Sequence, residues 1–243
     1  LRGVGLRLQA LNAEHAQALQ AASLDGDIGG LAYTTAPGPG IDSVEAYIRS
    51  ALEGHRTGQM QAYAVCRENG EVLGSTRYYD IDADTPTLAI GYTWYAARAQ
   101  RTHVNTACKQ LLLTHAFEDL GVRSVYFHTS HRNLRSQAAI LRLGARLDGI
   151  LRQHKLHKDG SLRDTYTYSI LDAEWPAVKA RLAAAGIAAR LHDDRLEFSL
   201  SGPTDIALAA PLSHPWLEGR PLTHLGRVPD GPELDAIVAL NEQ

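Results

Sequence analysis

The sequence predicts an α+β protein with a mixed, mostly antiparallel sheet and the element order β-α-α-β-β-β-α-β-α-β-β-α. Helical and strand-like periodicities follow one another along the chain, and several neighbouring strands are joined by short turns, which is typical of this class. Hydrophobic residues make up 44% and charged residues 21% of the 243 residues, as in globular proteins with a packed core. The length fits one large domain, or one domain with an appendage, because domains usually have about 100 to 200 residues.

The first strand and the first two helices follow from periodicity and capping. The apolar run VGLRLQAL precedes NAEHAQALQAA, where Asn12 suits the N-cap position and apolar residues recur at helical spacing. A second amphipathic segment, SVEAYIRSALEGH, follows DGDIGGLAYTTAPGPG, whose glycines and prolines indicate a loop. A long loop beside a helix is a candidate substrate contact.

Three antiparallel strands are predicted next, in MQAYAVCREN, EVLGSTRYYDID and PTLAIGYTWYA. Asn69 and Gly70, between the first two, are a strong hairpin signal. Gly91 interrupts the third strand, which indicates a bulge or a splay. Either irregularity leaves backbone N–H and C=O groups without a strand partner, and a ligand can pair with them.

The second half of the chain predicts alternating helices and strands. The helix in RTHVNTACKQLLLTHAFEDLG is expected to end at Gly121, and the strand VRSVYFHTS follows it. The helix in NLRSQAAILRLGA has Asn133 as its N-cap and Gly144 as its stop. Two strands, RLDGILRQHKLH and LRDTYTYSIL, flank a turn at 158–160, and DAEWPAVKARLAAAG is a capped helix.

The composition changes beyond Gly186, because six of the ten prolines lie between Pro203 and Pro232. We therefore divide the chain into a domain of residues 1–186 and a Pro-rich appendage of residues 187–243. The appendage is expected to contain a strand near 196–200, an extended path and a short terminal helix in PELDAIVALNEQ.

Charge is distributed unevenly along the chain. The net charge of −3 disfavours a general nucleic-acid binder, yet residues 98–163 contain twelve basic and four acidic side chains. This basic stretch favours a compact polyanion such as a nucleotide, because Arg binds phosphate bidentately. A solvated basic helix face is an equally good interpretation.

The sequence carries no sign of a metal, a membrane or an export signal. Cys66 and Cys108 are too few for a disulfide framework or a thiolate metal site. No run of 18 uncharged apolar residues occurs, and the first residues lack the pattern of a secretory signal. We expect a soluble cytoplasmic protein with no nucleic-acid or membrane partner.

A phosphate site is indicated where strand meets helix in AIGYTWYAARAQRTHVNTACKQ. The helix begins in a basic context, so its first amides, from about residue 101 to residue 106, can bind phosphate oxygens with the help of the helix dipole. Arg98, Arg101 and Lys109 add positive charge.

These residues resemble the GNAT acetyltransferase superfamily, particularly the branch of the ribosomal-protein alanine and serine N-acetyltransferases. The resemblance covers roughly residues 4–185 and rests on the ordered segments IGYTW, QRTHVN, NLRS, LGA and GSLRDTYTYSILDAEWP. It implies αβα layers, a splay between the fourth and fifth strands that holds the pantetheine arm, and acetyl-CoA as donor. The implied reaction is direct acetylation of an amine on a protein N-terminus or a small molecule.

The resemblance also implies the site residues. Ser136 is the candidate acid for the departing thiolate, because Ile140 stands where many of these enzymes have a Tyr; first-turn capping with Asn133 is an equally good role for it. The implied cofactor-binding set is Trp94, Arg98, Arg101, Thr102, His103, Val104, Asn105, Thr106, Lys109, Asn133, Arg135 and Ser136.

Two features depart from the family pattern. His103 and Asn105 stand where its phosphate loop has small residues; His103 either donates to phosphate or faces solvent. Ala89 replaces a Glu that often lies beside the IGY motif, which leaves the general base unassigned. The acidic candidates for attracting an ammonium group or acting through water are Asp80, Asp82 and Asp84.

Two other functions compete with acetyl transfer. A non-catalytic acyl-CoA-binding or sensing module is favoured if His103 and Ile140 reflect lost catalysis. A serine hydrolase using Ser130 and His131 is disfavoured, because neighbours on an extended chain point to opposite faces and no Gly-x-Ser-x-Gly elbow occurs. A homodimer is left open.

Overall fold

The structure is a computed structural model that describes residues 1–3, 5–184, 187–192 and 195–200. The strands are β1 (Arg2–Gly3), β2 (Leu6–Ala10), β3 (Met60–Arg67), β4 (Val72–Asp82), β5 (Thr87–Tyr95), β6 (Ser124–Ser130), β7 (Arg146–Leu156), β8 (Leu162–Leu171), β9 (Ile187–His192) and β10 (Arg195–Leu200). The α-helices are α1 (Ala16–Leu24), α2 (Ile41–Arg56), α3 (Val104–Thr114), α4 (Leu134–Leu143) and α5 (Trp175–Ala184).

Eight strands form one sheet in the order β1-β2-β3-β4-β5-β6-β8-β7. Every neighbouring pair in it is antiparallel except β5 and β6, which are parallel. The two-residue β1 was not predicted, so the predicted fourth and fifth strands are β5 and β6. The mixed, mostly antiparallel sheet is confirmed.

Helices cover both faces of this sheet, which confirms the predicted αβα layers. One core contains apolar side chains of α3, α4 and α5, including Leu111, Ile140 and Trp175. A second core contains apolar side chains of α1 and α2, including Leu19 and Ile48. The sheet separates the two cores, because each strand sends alternate side chains to opposite faces.

Most of the predicted cap and turn residues lie at the ends of helices and strands. The Asn12 and Asn133 side chains accept hydrogen bonds from backbone N–H groups of the turns that they cap. Gly144 ends α4 in the left-handed region with φ 105°, and Gly70 has φ 91° in the β3–β4 turn. The helix predicted up to Gly121 continues beyond α3 as a π-helical turn over His115–Asp119.

The last part of the chain is described only as a hairpin of β9 and β10. β10 covers the strand predicted near 196–200, whereas β9 was not predicted. The predicted extended path and terminal helix lie outside the described residues, and the domain boundary at residue 186 stays a prediction. None of the helices in the described ranges has both the length and the apolar composition needed to span a bilayer.

Candidate active site

The sheet opens between β5 and β6. These strands pair with each other only over residues 87–89 and 124–126, ending with Ala89 opposite Tyr126. Beyond that pair, β5 continues to Tyr95 and β6 continues to Ser130 without mutual pairing. The predicted splay is therefore confirmed, and backbone groups on both of its edges face a gap rather than a neighbouring strand.

The open half of β5 also contains a bulge. Between its paired residues Gly91 and Trp94, β5 has two residues where β4 has one. The first of the two, Tyr92, has φ 51°, which is rare for a residue with a side chain. Bulges are common beside active sites because they redirect backbone and side chains. The sequence indicated an irregularity at Gly91, and the structure has it immediately after Gly91.

A cavity of about 770 Å³ occupies the gap, within the usual size of a small-molecule or cofactor site. It is lined by the α1–α2 loop, β4, β5, the start of α3, β6, α4, β7 and β8. Eight predicted site residues line it: Trp94, Arg101, Thr102, Asn105, Lys109, Asn133, Arg135 and Ser136. Four predicted site residues are not part of its lining: Arg98, His103, Val104 and Thr106.

The first turn of α3 forms one end of the cavity. The Thr102 hydroxyl donates to the Ala99 carbonyl at 2.7 Å and accepts from the Val104 N–H at 3.3 Å, which fixes the entry into the helix. The other amides of a first helical turn have no acceptor within their own helix. With Arg101 at φ 59° on the preceding loop, this end suits a pyrophosphate.

The two unusual phosphate-loop residues differ in position. Asn105 lines the cavity, whereas His103 lies outside its lining. Burial and the nearby Arg67 lower the pKa of His103, so its imidazole is neutral near pH 7. His103 therefore neither fills the cavity nor adds positive charge to it.

Arg98 is engaged in ion pairs away from the cavity. Its Nε lies 2.6 Å from Glu71 Oε1, and its Nη1 lies 2.7 Å from Asp25 Oδ2. These contacts tie the end of α1 to the residues just after β5. Asp25 is 73 positions away in the sequence, so no local pattern could have indicated this partner.

Lys109 is a buried cation at the bulge. Its side chain comes from the second turn of α3, and its Nζ donates to Thr93 Oγ1 at 2.6 Å and to Thr76 Oγ1 at 3.4 Å. No carboxylate lies within ion-pair distance of it in the described residues. Burial lowers the pKa of Lys109 to about 8. A buried cation without an anionic partner is a favourable place for an anionic ligand.

At the start of α4, the backbone of Ser136 takes part in the helix cap, and its side chain does not. Asn133 Oδ1 accepts from the backbone N–H of Ser136 at 3.1 Å, so the cap uses the main chain of Ser136 and not its hydroxyl. Within the described residues, no hydrogen bond involves that hydroxyl, and Ser136 is one of the residues that line the cavity. Ile140 is buried in the core with 6% exposure. The Ser136 hydroxyl is therefore available to a ligand.

The opposite side of the cavity contains a histidine that sequence reasoning missed. His128 lies on the open half of β6, and its Nδ1 is 2.9 Å from the Tyr79 hydroxyl. Asp80 also lines the cavity, whereas Asp82 Oδ1 accepts from backbone N–H groups of its own turn. Tyr79 and His128 are 49 positions apart. The available signal was a histidine near the end of the predicted fifth strand.

Ser130 has a histidine partner other than His131. Its hydroxyl lies 2.7 Å from His157 Nε2, and His157 Nδ1 lies 2.9 Å from the Ser161 hydroxyl. Ser161 donates to Asp159, so it accepts from His157, and the Nε2 of a neutral His157 accepts from Ser130. This buried chain joins β6 to the β7–β8 turn. Among the described residues, no three His, Cys, Asp or Glu side chains are placed to bind a metal.

Comparison with known proteins gives a family match over most of the core. The model of the acetyltransferase (GNAT) domain matches residues 5–146. YdaF of Bacillus subtilis strain 168, whose name gives ribosomal N-acetyltransferase as its proposed role, is 30% identical over 111 residues. That match covers 46% of this chain and 60% of YdaF, so the chain matches less than two thirds of that relative.

Two solved structures extend the match to the fold. A GCN5-related N-acetyltransferase from Brucella melitensis is 30% identical, with a TM-score of 0.68 over 75% of this chain and 83% of that one. A proposed acetyltransferase from T. thermophilus is 32% identical, with a TM-score of 0.66 over 76% of this chain and 95% of that one.

Proposed function

Since this chain belongs to the GNAT acetyltransferase family, we propose that it transfers the acetyl group of acetyl-CoA directly to an amine. The observation that carries this proposal is the opening between β5 and β6, where unpaired backbone, the start of α3 and the buried Lys109 surround one cavity. A long, thin cofactor with an anionic end fits these groups, because the open edge of β5 has no neighbouring strand, the first amides of a helix lack acceptors within it, and Lys109 has no carboxylate partner in the described residues.

Different residues along the cavity would bind different parts of acetyl-CoA. The first amides of α3 and Arg101 would hold the pyrophosphate, and the open edge of β5 would pair with the amide groups of the pantetheine arm. Acetyl-CoA supplies an activated acetyl thioester. A backbone N–H freed by the bulge at Tyr92 and Thr93 would bind the thioester oxygen and stabilise the charge that develops there. The Ser136 hydroxyl would supply the proton for the departing sulfur.

The protein N-terminus is the acceptor that we propose first. An α-amine has a pKa of about 7.7 to 8.0, so a useful fraction is neutral at pH 7, whereas a lysine amine at about 10.4 requires much stronger help from a base. Ala89 stands on β5 where relatives often have a Glu, so β5 offers no carboxylate at that position. The name of YdaF makes a ribosomal protein the first candidate, and a small amine is the second.

A purely cofactor-binding role is not favoured. The family match is to a catalytic acetyltransferase domain. His103 lies outside the cavity lining, so it does not indicate lost cofactor binding. A cytoplasmic location is also proposed, because both cysteines, Cys66 and Cys108, are free and buried.

The direct test is a free-thiol release assay with acetyl-CoA. We expect thiol release with peptides that have a free α-amine and much less with the same peptides blocked at the N-terminus but containing Lys. Ser136→Ala is expected to lower kcat, with little change in acetyl-CoA affinity. Thermal stabilisation by acetyl-CoA without thiol release from any amine would instead support the binding module.

A further inference from the structure

We propose that His128 is the general base of this acetyl transfer and that Tyr79 is the positioning residue that orients it. The inference rests on the function proposed above and assigns the general base, which the sequence left open.

His128 lines the cavity from its β6 side. It is two positions beyond Tyr126, the last residue of β6 that pairs with β5, so it stands on the open edge of the gap. Its neighbour Phe127 is buried in the core beneath α3, and alternation along the strand places His128 on the opposite face of the sheet. The cavity touches His128 there, together with Gly91 and Tyr92 of the bulge.

The ring of His128 is held in a fixed orientation. The Tyr79 hydroxyl lies 2.9 Å from its Nδ1, and the Tyr79 ring packs edge-on against Tyr92, with ring centroids 5.1 Å apart. Gly91 makes this arrangement possible, because a Cβ added at Gly91 would lie 2.7 Å from Tyr79 Cε1. Burial holds the pKa of Tyr79 far above its ordinary value, so the phenol stays neutral, and its oxygen accepts a hydrogen bond when the His128 proton is on Nδ1. That tautomer leaves the lone pair on Nε2.

Charges from three strands surround this imidazole. Burial is the largest influence and lowers the pKa of His128 below its ordinary value. Asp80 on β4 acts in the opposite direction and raises the pKa, while the positive groups on β7 and β8 lower it further. Those groups are His154, Lys155 and Arg163. The imidazole is therefore neutral at pH 7 and able to take a proton.

In the acetyl transfer, each proton that moves has a named donor and acceptor. The neutral amine nitrogen attacks the thioester carbon, a C–N bond forms, and the N–H proton moves to Nε2 of His128. The C–S bond breaks, and the sulfur takes a proton from the Ser136 hydroxyl. Ser136 regains a proton from solvent in the same step, so no serine alkoxide is left, and His128 releases its proton to solvent. The products are an N-acetyl amine and CoA with a free thiol.

Two other histidines touch or adjoin the cavity and fit the role less well. Both ring nitrogens of His157 are engaged, one by Ser130 and one by Ser161. His154 lies on the exposed β7, where no hydrogen bond within the described residues orients its ring. His128 combines contact with the cavity, burial and a fixed ring.

The experiment compares His128→Gln and Tyr79→Phe with wild type and with His55→Gln, a matched control on the exposed surface of α2. We expect His128→Gln to lower kcat by about 10²- to 10⁴-fold, to leave acetyl-CoA affinity by calorimetry unchanged, and to lose the acidic limb of the kcat–pH profile below about pH 6.5. Tyr79→Phe is expected to lower kcat by about tenfold and to shift that limb, with little change in KM. Imidazole is expected to restore part of the activity of His128→Ala.

Two results would overturn the proposal, and they are distinguishable. If the wild type acetylates amines and His128→Gln has a kcat within about threefold of the wild-type value, His128 is not the base, and the proposed function stands. Wild type that binds acetyl-CoA but acetylates no amine rules out the proposed function and the base together.

Discussion

The two halves of β5 differ in what lies beside them. Over residues 87–89 the strand has β4 on one side and β6 on the other, and Leu88 and Ala89 are almost fully buried. Over residues 90–95 it has β4 alone, and its other edge faces the cavity. Both halves contribute side chains to the cores, and only the open half adds an unpaired strand edge and the bulge at Tyr92.

This difference shows that the site forms where the pairing of β5 with β6 stops, and not on a separate helix or strand added to the fold. Because β6 separates from β5 after three residue pairs, the edge of β5 beyond them presents a row of backbone N–H and C=O groups in fixed positions. The protein partly compensates at the bulge, where Thr93, Thr76 and Lys109 form a buried hydrogen-bonded cluster.

The largest effect is expected from Gly91→Val, at the junction of the two halves. The new side chain would displace Tyr79 and with it His128, so we expect kcat to fall about a thousandfold. Overpacking is also expected to reduce the free energy of unfolding by about 1 to 3 kcal/mol. The matched control is Gly149→Val on β7, where no atom lies within 4 Å of an added Cβ. Equal kcat losses in both variants would contradict this account.

Lys109→Met tests the buried cation of the open half. In the folded protein the pKa of Lys109 is lowered from 10.5 to about 8. Below pH 8 the side chain is charged in both the folded and the unfolded protein, so burying the charge costs its full penalty. That penalty decreases as the pH rises above 8 and is lost above 10.5, where the side chain is neutral in both states. We expect Lys109→Met to be more stable than wild type at pH 7, by at most about 3 kcal/mol, because the hydrogen bonds of Lys109 Nζ to Thr93 and Thr76 are also lost. Urea unfolding of both proteins from pH 7 to 10.5 should show the difference shrinking.

The same variant should bind acetyl-CoA more weakly, since the buried cation is then lost. A stability gain that is constant across this pH range would show that Lys109 titrates normally in the folded protein.

Asn133→Ala tests the cap beside the cavity against an equivalent cap elsewhere. Loss of an N-cap costs about 1 kcal/mol, and we expect that loss in Asn133→Ala and also in Asn12→Ala, whose cap lies on the short helix before α1. Only Asn133→Ala should weaken acetyl-CoA binding, by roughly threefold to tenfold in calorimetry. An equal loss of affinity in both variants would mean that general stability, not the cavity, determines binding.

The smallest effect distinguishes two arginines. Arg101 lines the cavity, and we expect Arg101→Ala to raise the Kd for acetyl-CoA about threefold to fivefold, as for one partly exposed charged contact. Arg98 is engaged by Glu71 and Asp25, so Arg98→Ala is expected to leave that Kd within about twofold of wild type. The reverse order would show that Arg98 leaves its ion pairs to bind the cofactor.

Local signals predicted most of the fold because a few residues determine each turn or cap. Asn69 with Gly70 predicted the β3–β4 hairpin, and Asn133 with Gly144 predicted both ends of α4. The residues around Gly91 indicated an irregular strand, and the family resemblance then placed the splay between the correct pair of strands.

Contacts between distant segments could not be predicted in this way. Tyr79 with His128, Ser130 with His157 and Arg98 with Asp25 join residues 27 to 73 positions apart. Which polar groups meet depends on strand order and register, and no single segment carries that information. The base therefore remained unassigned from the sequence, although each residue of the Tyr79–His128 pair lay in a correctly predicted strand.

The central claim is that the open half of β5 binds acetyl-CoA, and a crystal structure of the complex tests it most directly. We expect the pantetheine arm to pair with the backbone of residues 90–95 and the pyrophosphate to contact the first amides of α3. A cofactor bound at another surface, or β5 and β6 paired along their whole length without a gap, would contradict the account.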